Sequence, residues 1–374
     1  MQYIQDLIAV KSKCDRIKGL QKMISGGLTI PSPVKILTPQ AFLDYKKSGS
    51  LSTELVKQIK SAFKEIRMCN PSRGVYAGRA YFVPGLNQPP GPRSSSVTDD
   101  NVIIGEVEKL FEFAKKNEFD VKGSEIGVIF YPFINPTMPF GGGCVTPVLN
   151  NKQHCLIEYI FGNDEGVQSF PHDSYLVDFS KAKIIKKQID KKTEYLQATT
   201  QFGYETQVVP DEYRNKQLLN DENIIGISKQ YNTFFNTFGS HRLEFALQKE
   251  GVFFRECTPF QEVARSSQDL HITGEVVAIK KTKDIQKILR KHNILFIDPT
   301  IIQKRNMDLL TGLAFSVKHK KIILYPGTAS TAHAATILRE RGHTLVFVGN
   351  QKYQTGQRVK IDIVNADFKV EVLP

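Results

Sequence analysis

A single imidazole, His333, stands among small side chains in Gly327-Thr-Ala-Ser-Thr-Ala-His-Ala-Ala-Thr-Ile-Leu-Arg-Glu-Arg-Gly342. Near neutral pH an imidazole carries an unprotonated ring nitrogen, so it can act as a nucleophile. The apolar run Ile322-Ile-Leu-Tyr325 before it reads as a buried strand. After it, Ala334, Ala335, Ile337 and Leu338 alternate with Arg339, Glu340 and Arg341 at helical spacing as far as Gly342, a C′ glycine. His333 therefore falls where strand passes to helix, among neighbours too small to cover it. That placement suits a group presented to a close partner, and it equally suits a capping or merely exposed histidine. The second constellation is a pair of acids. Arg242-Leu-Glu-Phe-Ala-Leu and Gly251-Val-Phe-Phe-Arg-Glu alternate as a hairpin turning at Gln248–Gly251, with Glu244 on one strand and Glu256 on the other. Adjacent antiparallel strands bring such residues onto one face. Two carboxylates so placed repel unless a cation lies between them, and Mg²⁺ takes carboxylates together with phosphate oxygens. Two surface acids on a hairpin have the same pattern.

The elements that must position these groups divide the chain. Residues 1–67 read as amphipathic helix, apart from an extended piece over Leu28–Leu37, and 72–100 is rich in Gly, Pro and Ser, with a mobile loop expected over about 84–100. A helix is expected over Ile103–Lys116, strands over 125–180 with turn signals at Asn135-Pro136 and Gly141–Gly143, and a helix near 221–239. The short polar stretch Arg265-Ser-Ser-Gln-Asp269 marks a boundary between a first domain, 1–265, and a second, 270–374.

Composition bounds the function. With 374 residues and 41% hydrophobic content, the chain can bury one large core or two to three smaller ones. No apolar run approaches the roughly 20 residues that cross a bilayer, and Met1-Gln-Tyr-Ile-Gln-Asp-Leu lacks the layout of a signal peptide. The five cysteines, at 14, 69, 144, 155 and 257, are scattered without metal-ligand spacing, so a reducing cytoplasm is the expected home. A net charge of +12 includes the lysine clusters 183–187, 280–283 and 318–321, which read as solvated faces or as an attraction for nucleotide phosphates. No nucleic-acid-binding motif accompanies them, so neither nucleic acid nor membrane is the expected partner.

The residues around His333 resemble a known signature. Thr331-Ala-His-Ala-Ala335 followed by Arg339-Glu340 and Gly342 is similar to the TSHAA…RExG motif of the phosphohistidine swivelling domain. That domain occurs in phosphoenolpyruvate synthase, pyruvate phosphate dikinase and rifampicin phosphotransferase. Gly274-Glu-Val-Val277 resembles its opening strand, Val346-Phe-Val-Gly349 the strand after the helix, and Thr355–Asp362 the closing hairpin. The upstream chain resembles the ATP-grasp nucleotide-binding domain of the same family. Val10–Ile17 is similar to "VGGKxxxL", with Lys13 at the lysine, and Ala77-Gly-Arg-Ala80 stands at "VRSS", with Arg79 at the phosphate-binding arginine. Glu125–Pro136 and Gly142–Pro147 resemble the family's "vaVQrMvd" and "GVxFTxxP", and Leu156-Ile-Glu-Tyr-Ile-Phe-Gly162 its "iiEaaxGLG", which makes Glu158 a nucleotide-site residue. Leu243-Glu-Phe-Ala246 and Val252–Pro259 resemble its closing segment, with Glu244 as the metal-binding acid and Glu256 where the family has glutamine.

The resemblance implies an α+β or α/β architecture, an N-terminal ATP-grasp domain followed by a smaller α/β swivelling domain. It also implies an ATP-dependent phosphotransferase. ATP and Mg²⁺ would bind through Lys13, Arg79, Glu158, Glu244 and Glu256, with the last two on the metal, and His333 would carry a phosphoryl group to an acceptor. Within this sequence no pyruvate-binding barrel follows, so the implied acceptor is a free small molecule or a site on a separate protein. The chain departs from the pattern. Lys11 and Ser12 replace the glycines of "GGK", Thr328-Ala329 replace Gly-Gly, and Tyr131-Pro132 replace the Gln-Arg of "VQrM". A kinase or ligase acting without phosphohistidine, or a relative that binds nucleotide without turnover, remains an alternative. His172 and His241 are read as structural or solvated.

Overall fold

The computed structural model describes residues 2–86, 89, 91–148, 151–168, 170–198, 203–260, 270–279, 293–298, 321–326, 343–349, 351–364 and 367–374. The chain separates into two compact units, Met1–Gln261 and Glu262–Pro374. The architecture is mixed α/β with several sheets. The expected boundary at 265–270 falls almost wholly outside the described residues, and His333 lies outside them too. No helix among the described residues is long and apolar enough to cross a membrane.

The first unit opens with β1 (Ile4–Asp6), α1 (Asp15–Ser25), β2 (Lys35–Leu37), α2 (Pro39–Ser48), α3 (Thr53–Cys69), β3 (Val75–Phe82), β4 (Arg93–Val97), α4 (Asp100–Lys116) and β5 (Glu125–Pro132). The strands form an antiparallel sheet in the order β1-β2-β5-β3-β4. Strand β4 lies inside the stretch expected to be a mobile loop: Arg93 and Ser94 pair with Gly78 and Ala77, and the Ser94 hydroxyl accepts from the Ala77 amide at 2.9 Å. Helices α2, α3 and α4 bury Phe42, Ile59, Phe63 and Phe111 in one core with Val75, Ala77 and Val128 of this sheet. Helix α3 is capped by the Ser52 hydroxyl and α4 by the Asp99 carboxylate, each accepting backbone N–H groups of the first turn.

The rest of the unit is β6 (Gly141–Val148), β7 (Asn151–Phe161), β8 (Asp173–Asp178), β9 (Lys183–Gln188), β10 (Glu194–Ala198), β11 (Tyr204–Val208), α5 (Asp221–Phe238), β12 (His241–Gln248) and β13 (Gly251–Pro259). Strands β10 and β11 make a separate ribbon, and the others form an antiparallel sheet in the order β13-β12-β6-β7-β8-β9. The expected hairpin is β12 and β13, with Gln248 opposite Gly251. Gly141–Gly143, expected as a turn, instead begins β6. The reason is close packing: side chains at Gly141 and Gly143 would meet the carbonyl oxygens of Ile160 and Glu158, and one at Gly142 would meet Asp164.

Alternation along this sheet splits its two faces. Leu243, Phe245, Leu247, Val145, Ile157 and Tyr159 join one apolar core that also holds Ile17 and Leu20 of α1 and Ile227 and Phe234 of α5. Burying each large side chain of this kind stabilises the fold by roughly 1.5–3 kcal/mol. Arg242, Glu244 and Ala246 are thereby turned to the other face.

The second unit contains β14 (Leu270–Ile279), β15 (Ile294–Ile297), β16 (Ile322–Pro326), β17 (Thr344–Gly349), β18 (Arg358–Val364) and β19 (Asp367–Val372), in one sheet of order β17-β16-β15-β14-β18-β19. Strands β14 to β17 pair in parallel, while β18 and β19 are antiparallel. The near-continuous apolar runs Ile294–Ile297 and Ile322–Tyr325 are buried throughout, as expected of parallel strands. These are the strand expected before the His333 segment and its neighbour; the strand expected after that segment is β17, and the stretch expected as the closing hairpin, Thr355–Asp362, is a turn followed by the first residues of β18.

Helix α1 is fixed to β13 by the absence of a side chain at Gly19, where a Cβ would lie 2.6 Å from the Cys257 carbonyl oxygen. Gly19→Ala should therefore destabilise the protein. The helix-propensity gain of about 1 kcal/mol is opposed by overpacking against rigid backbone, about 1–3 kcal/mol. A thermal melt checks the sign, and an unchanged or higher Tm contradicts it.

Candidate functional site

The pairing register of the second sheet sets the site. Glu256 lies opposite Glu244, Glu244 opposite Cys144, Cys144 opposite Glu158, and Glu158 opposite Ser174. Residues directly opposite one another share a face, so three acids stand in one row on the face turned from the apolar core. Strands lie about 4.8 Å apart. Glu244 and Glu256 are thus immediate neighbours, and Glu158 is two strands beyond Glu244.

A bulge adds an arginine to this face. Glu244 pairs with Glu256 and Phe245 with Phe254, so Arg255 is the extra residue of β13. An extra residue re-aims its side chain. Arg255 donates to the Ile134 carbonyl oxygen at 3.3 Å and forms an ion pair with Asp164, which sits over Gly142. Two positions before Glu244, hence on the same side of β12, Arg242 pairs with the Glu244 carboxylate. Arg16, in the first turn of α1, is 3.5 Å from Glu256. Its guanidinium lies 5.1 Å from the Tyr76 ring centroid and donates to the Tyr131 hydroxyl at 3.4 Å, and the two tyrosine rings stack at 4.5 Å. Arg93 on β4 pairs with Glu165.

Arg79 differs from these. Its Nε donates to the Pro89 carbonyl oxygen at 2.7 Å, and no carboxylate pairs with it among the described residues. Five arginines thus face four paired carboxylates, Glu256, Glu165, Glu244 and Asp164, with Arg79 left over. Burial, followed by repulsion from Arg16, lowers its pKa from the ordinary arginine value. For Arg16 and Arg242 burial also opposes the charge. It is outweighed by Tyr76 and Glu256 around Arg16 and by Glu244 around Arg242, so both stay firmly cationic. The pairs do not exhaust the donors. Among the described residues, the Nε atoms of Arg16, Arg242 and Arg255 are buried without a hydrogen-bond partner. A buried N–H without an acceptor is costly and asks for an ion or water.

A cavity of about 110 Å³ opens beside this cluster, at the N-terminal end of α1. Asp15, Arg16, Arg79, Glu256 and Thr258 supply its polar wall, and Phe82 and Leu86 part of its apolar one. Its volume is room for several waters. The chain leading into α1 is pinned by Glu125, which accepts from the Ser12 hydroxyl at 2.7 Å and the Lys13 amide at 2.8 Å. Lys13 itself is exposed, with its ammonium 5.6 Å from the Phe82 ring that lines the cavity.

The structure therefore gathers Arg79 and Glu256 at the cavity, Glu244 beside Glu256, and Lys13 at its rim, with Glu158 farther along the row. Glu158 is buried between two partners. Cys144 Sγ donates to it at 3.4 Å, and His172 Nε2 lies 3.4 Å from its other oxygen while His172 Nδ1 donates to the Phe170 carbonyl at 2.9 Å. His172 thus touches Glu158, and it is a partner that allows a glutamate to be buried there. His241 lies elsewhere, 3.1 Å from Lys22 Nζ and edge-on to Phe234. Sequence reading did not single out Arg16, Arg93, Arg242, Arg255 or Asp164. Arg242 was findable by period-2 alternation from Glu244; the bulge that recruits Arg255 leaves no such signal. Glu244 and Glu256 supply the one or two carboxylates that protein sites give to a Mg²⁺–phosphate complex, but each is held by an arginine. Among the described residues no three His, Cys, Asp or Glu side chains are grouped to hold a metal on their own.

No protein-family model matches the chain, and no curated protein matches it in sequence. Among solved structures it is similar to D-alanine–D-alanine ligase from Helicobacter pylori, at 12% identity over 66% of this chain and 54% of that one with a TM-score of 0.30. The corresponding ligase from Bacillus anthracis gives 9% identity, 66% and 57% coverage, and 0.31. A Pyrococcus horikoshii protein gives 12%, 66% and 91%, and 0.31. This chain spans little more than half the length of the two ligases, and likeness at these TM-scores carries no argument about activity.

The His172–Glu158 pair has a pH signature. Burial favours neutral imidazole, but hydrogen bonding and charge from Glu158 outweigh it and raise the His172 pKa above its ordinary 6.5. A raised folded-state pKa contributes stability that is complete below the unfolded value and lost as pH rises through the folded one. The unfolding free energy should therefore fall more steeply from about pH 6.5 upward in wild type than in Glu158→Gln/His172→Gln, which removes both charges. Equal slopes in denaturant titrations would contradict this.

Proposed function

We propose that the first unit binds a nucleoside triphosphate, ATP in the simplest case, in the arginine cluster. The chain would then act as an ATP-dependent phosphotransferase of the dikinase kind, with His333 as the phosphoryl carrier. The observation that carries the nucleotide reading is the surplus of buried guanidinium donors: three Nε atoms without acceptors, and Arg79 without a carboxylate. Guanidinium groups offer fixed, paired donors to phosphate oxygens. A polyphosphate chain supplies many acceptors and several negative charges in the length that such a cluster spans. Glu244 and Glu256 stand where Mg²⁺ would be held, and its chemistry there is neutralisation of phosphate charge. The arginines would offset charge on the transferring group and on the leaving nucleotide.

The carrier step rests on the sequence around His333 and its resemblance to the phosphohistidine signature. In that step water takes the γ-phosphoryl group, which leaves as inorganic phosphate, and a ring nitrogen of His333 forms a bond to the β-phosphorus while the bond from that phosphorus to the oxygen of AMP breaks. The phosphoryl group then passes to a small-molecule or protein acceptor. On this reading residues 1–265 form the ATP-grasp domain and 270–374 the swivelling domain.

Intact-protein mass spectrometry after incubation with ATP and Mg²⁺, beside His333→Ala, tests the proposal. Wild type should gain one acid-labile phosphoryl group and release AMP, and the variant should gain none. Full labelling of the variant would sink the carrier role, and ADP release without an adduct would indicate a kinase or ligase using the same nucleotide site. Arg79→Gln should weaken nucleotide binding by roughly 10–100-fold, as loss of a charged hydrogen-bond donor predicts, with the fold intact by circular dichroism. Unchanged affinity in calorimetry would remove Arg79 from the site.

A further inference from the structure

We infer that Glu125, which belongs neither to the arginine cluster nor to the row of acids, is a positioning residue for the ligand cavity. One oxygen of its carboxylate holds Ser12 and Lys13, and through them it sets the start of α1 against Phe82. The inference rests on the nucleotide reading above and adds to it the residue that fixes the shape of the site.

The cavity draws its walls from distant parts of the chain. Cys14, Asp15 and Arg16 come from the start of α1, and Tyr81 and Phe82 from the end of β3. Glu125 joins the two. At the beginning of β5 it stands directly opposite Phe82, one strand spacing of about 4.8 Å away. Its Oε2 accepts from the Ser12 hydroxyl at 2.7 Å and from the Lys13 amide at 2.8 Å. The Ser12 hydroxyl accepts in turn from the Cys14 amide at 3.0 Å. Cys14 itself caps α1 with no side-chain hydrogen bond, so the first turn, with Arg16 in it, is held from Ser12 and Glu125 and not by a cap of its own.

The choice of donor at Lys13 points toward the site. Glu125 takes the Lys13 amide and not its ammonium. The ammonium lies 5.6 Å from the centroid of the Phe82 ring, and among the described residues it forms no ion pair. The nearby acid is thus spent on the backbone, and the lysine charge stays available at the rim of a cavity that Arg16 and Arg79 also line. The carboxylate charge of Glu125 can only repel an anion bound there. Any help it gives to binding therefore comes through the bonds it accepts, and that fixes the sign of the test.

Glu125→Gln removes the charge but keeps an oxygen able to accept both bonds, whereas Glu125→Ala removes charge and acceptor together. Binding of the non-hydrolysable β,γ-imido analogue of ATP with Mg²⁺ is measured by calorimetry, and hydrogen exchange of the peptide 10–16 by mass spectrometry, both well below each variant's Tm. Glu125→Gln should bind the analogue at least as tightly as wild type. Glu125→Ala should bind it at least about 5-fold more weakly, as loss of one hydrogen bond predicts, and its 10–16 amides should exchange faster. Equal or tighter binding by Glu125→Ala, with or without a lowered Tm, would overturn the inference and leave the nucleotide site standing. An equal loss in both variants would assign the effect to charge and overturn it too, as would unchanged exchange in Glu125→Ala. No binding by wild type would instead sink the nucleotide reading, and this inference with it. Should Glu125→Ala fail to fold, Ser12→Ala, which leaves every charge in place, takes its part with the same expected loss, and unchanged affinity there overturns the inference.

Discussion

Everything about the site follows from one requirement, that charges on the inner face of a six-stranded sheet be satisfied where water is scarce. The opposite face is committed to the core. Leu243, Phe245 and Leu247 are buried with α1 and α5, so the register of β12 cannot slip without exposing all three. That fixes Arg242 and Glu244 on the other side. Once they are there, a lone ion would cost far more than it could return, and each acid on the face is found with a partner: Glu244 with Arg242, Glu256 with Arg16, Asp164 with Arg255, and Glu158 with His172.

These pairs come from separate parts of the chain, which ties the unit together. Arg16 reaches Glu256 from a helix that Gly19 lets approach β13, and the segment before that helix is anchored through Ser12 and Lys13 to Glu125 on the first sheet. Asp164 reaches Arg255 because Gly142 leaves space above β6 and because the bulge frees Arg255 from pairing. The glycines and the bulge are thus placed where backbone or charged groups must come close. Their absence from a regular strand would be the anomaly.

The parts of this arrangement that were legible in the sequence are those carried by local period. Alternation in Arg242–Leu247 and Gly251–Glu256 identified the hairpin and the nearness of Glu244 to Glu256, and helical spacing identified α4 and α5. The unread parts depend on distant segments meeting. Gly141–Gly143 looks like a turn because glycine's commonest use is conformational. Here it serves close packing against β7, which is invisible until β7 is known to be the neighbour. Arg93 sits in a stretch whose Gly, Pro and Ser content signals loop, yet it pairs in β4. The cations for the two acids were expected to be metal, because nothing in the spacing shows that α1 delivers Arg16 to Glu256. In unit two the apolar run Ile322–Tyr325 was legible as a strand, and the resemblance pointed to parts of β14, β17 and β18, whereas β15 and β19 went unread and the His333 segment lies outside the described residues.

Pairing every acid with an arginine satisfies the folded state, but it does not explain why there is one arginine too many. A protein under selection for stability alone gains nothing from Arg79, half-buried beside Arg16 and held, among the described residues, by backbone carbonyl oxygens. Nor does it gain from three Nε–H groups buried without acceptors. Such features cost stability and persist where something else completes them. What completes them supplies acceptor atoms, from water or from an anion, beside a small cavity with one polar and one apolar wall. A carboxylate ligand would satisfy one guanidinium. A phosphate chain satisfies several at once, and the apolar wall beside it suits a group less polar than phosphate attached to the same chain. The guanidinium donors left without an acceptor in this cluster support the nucleotide reading proposed above, whichever acceptor finally receives the group.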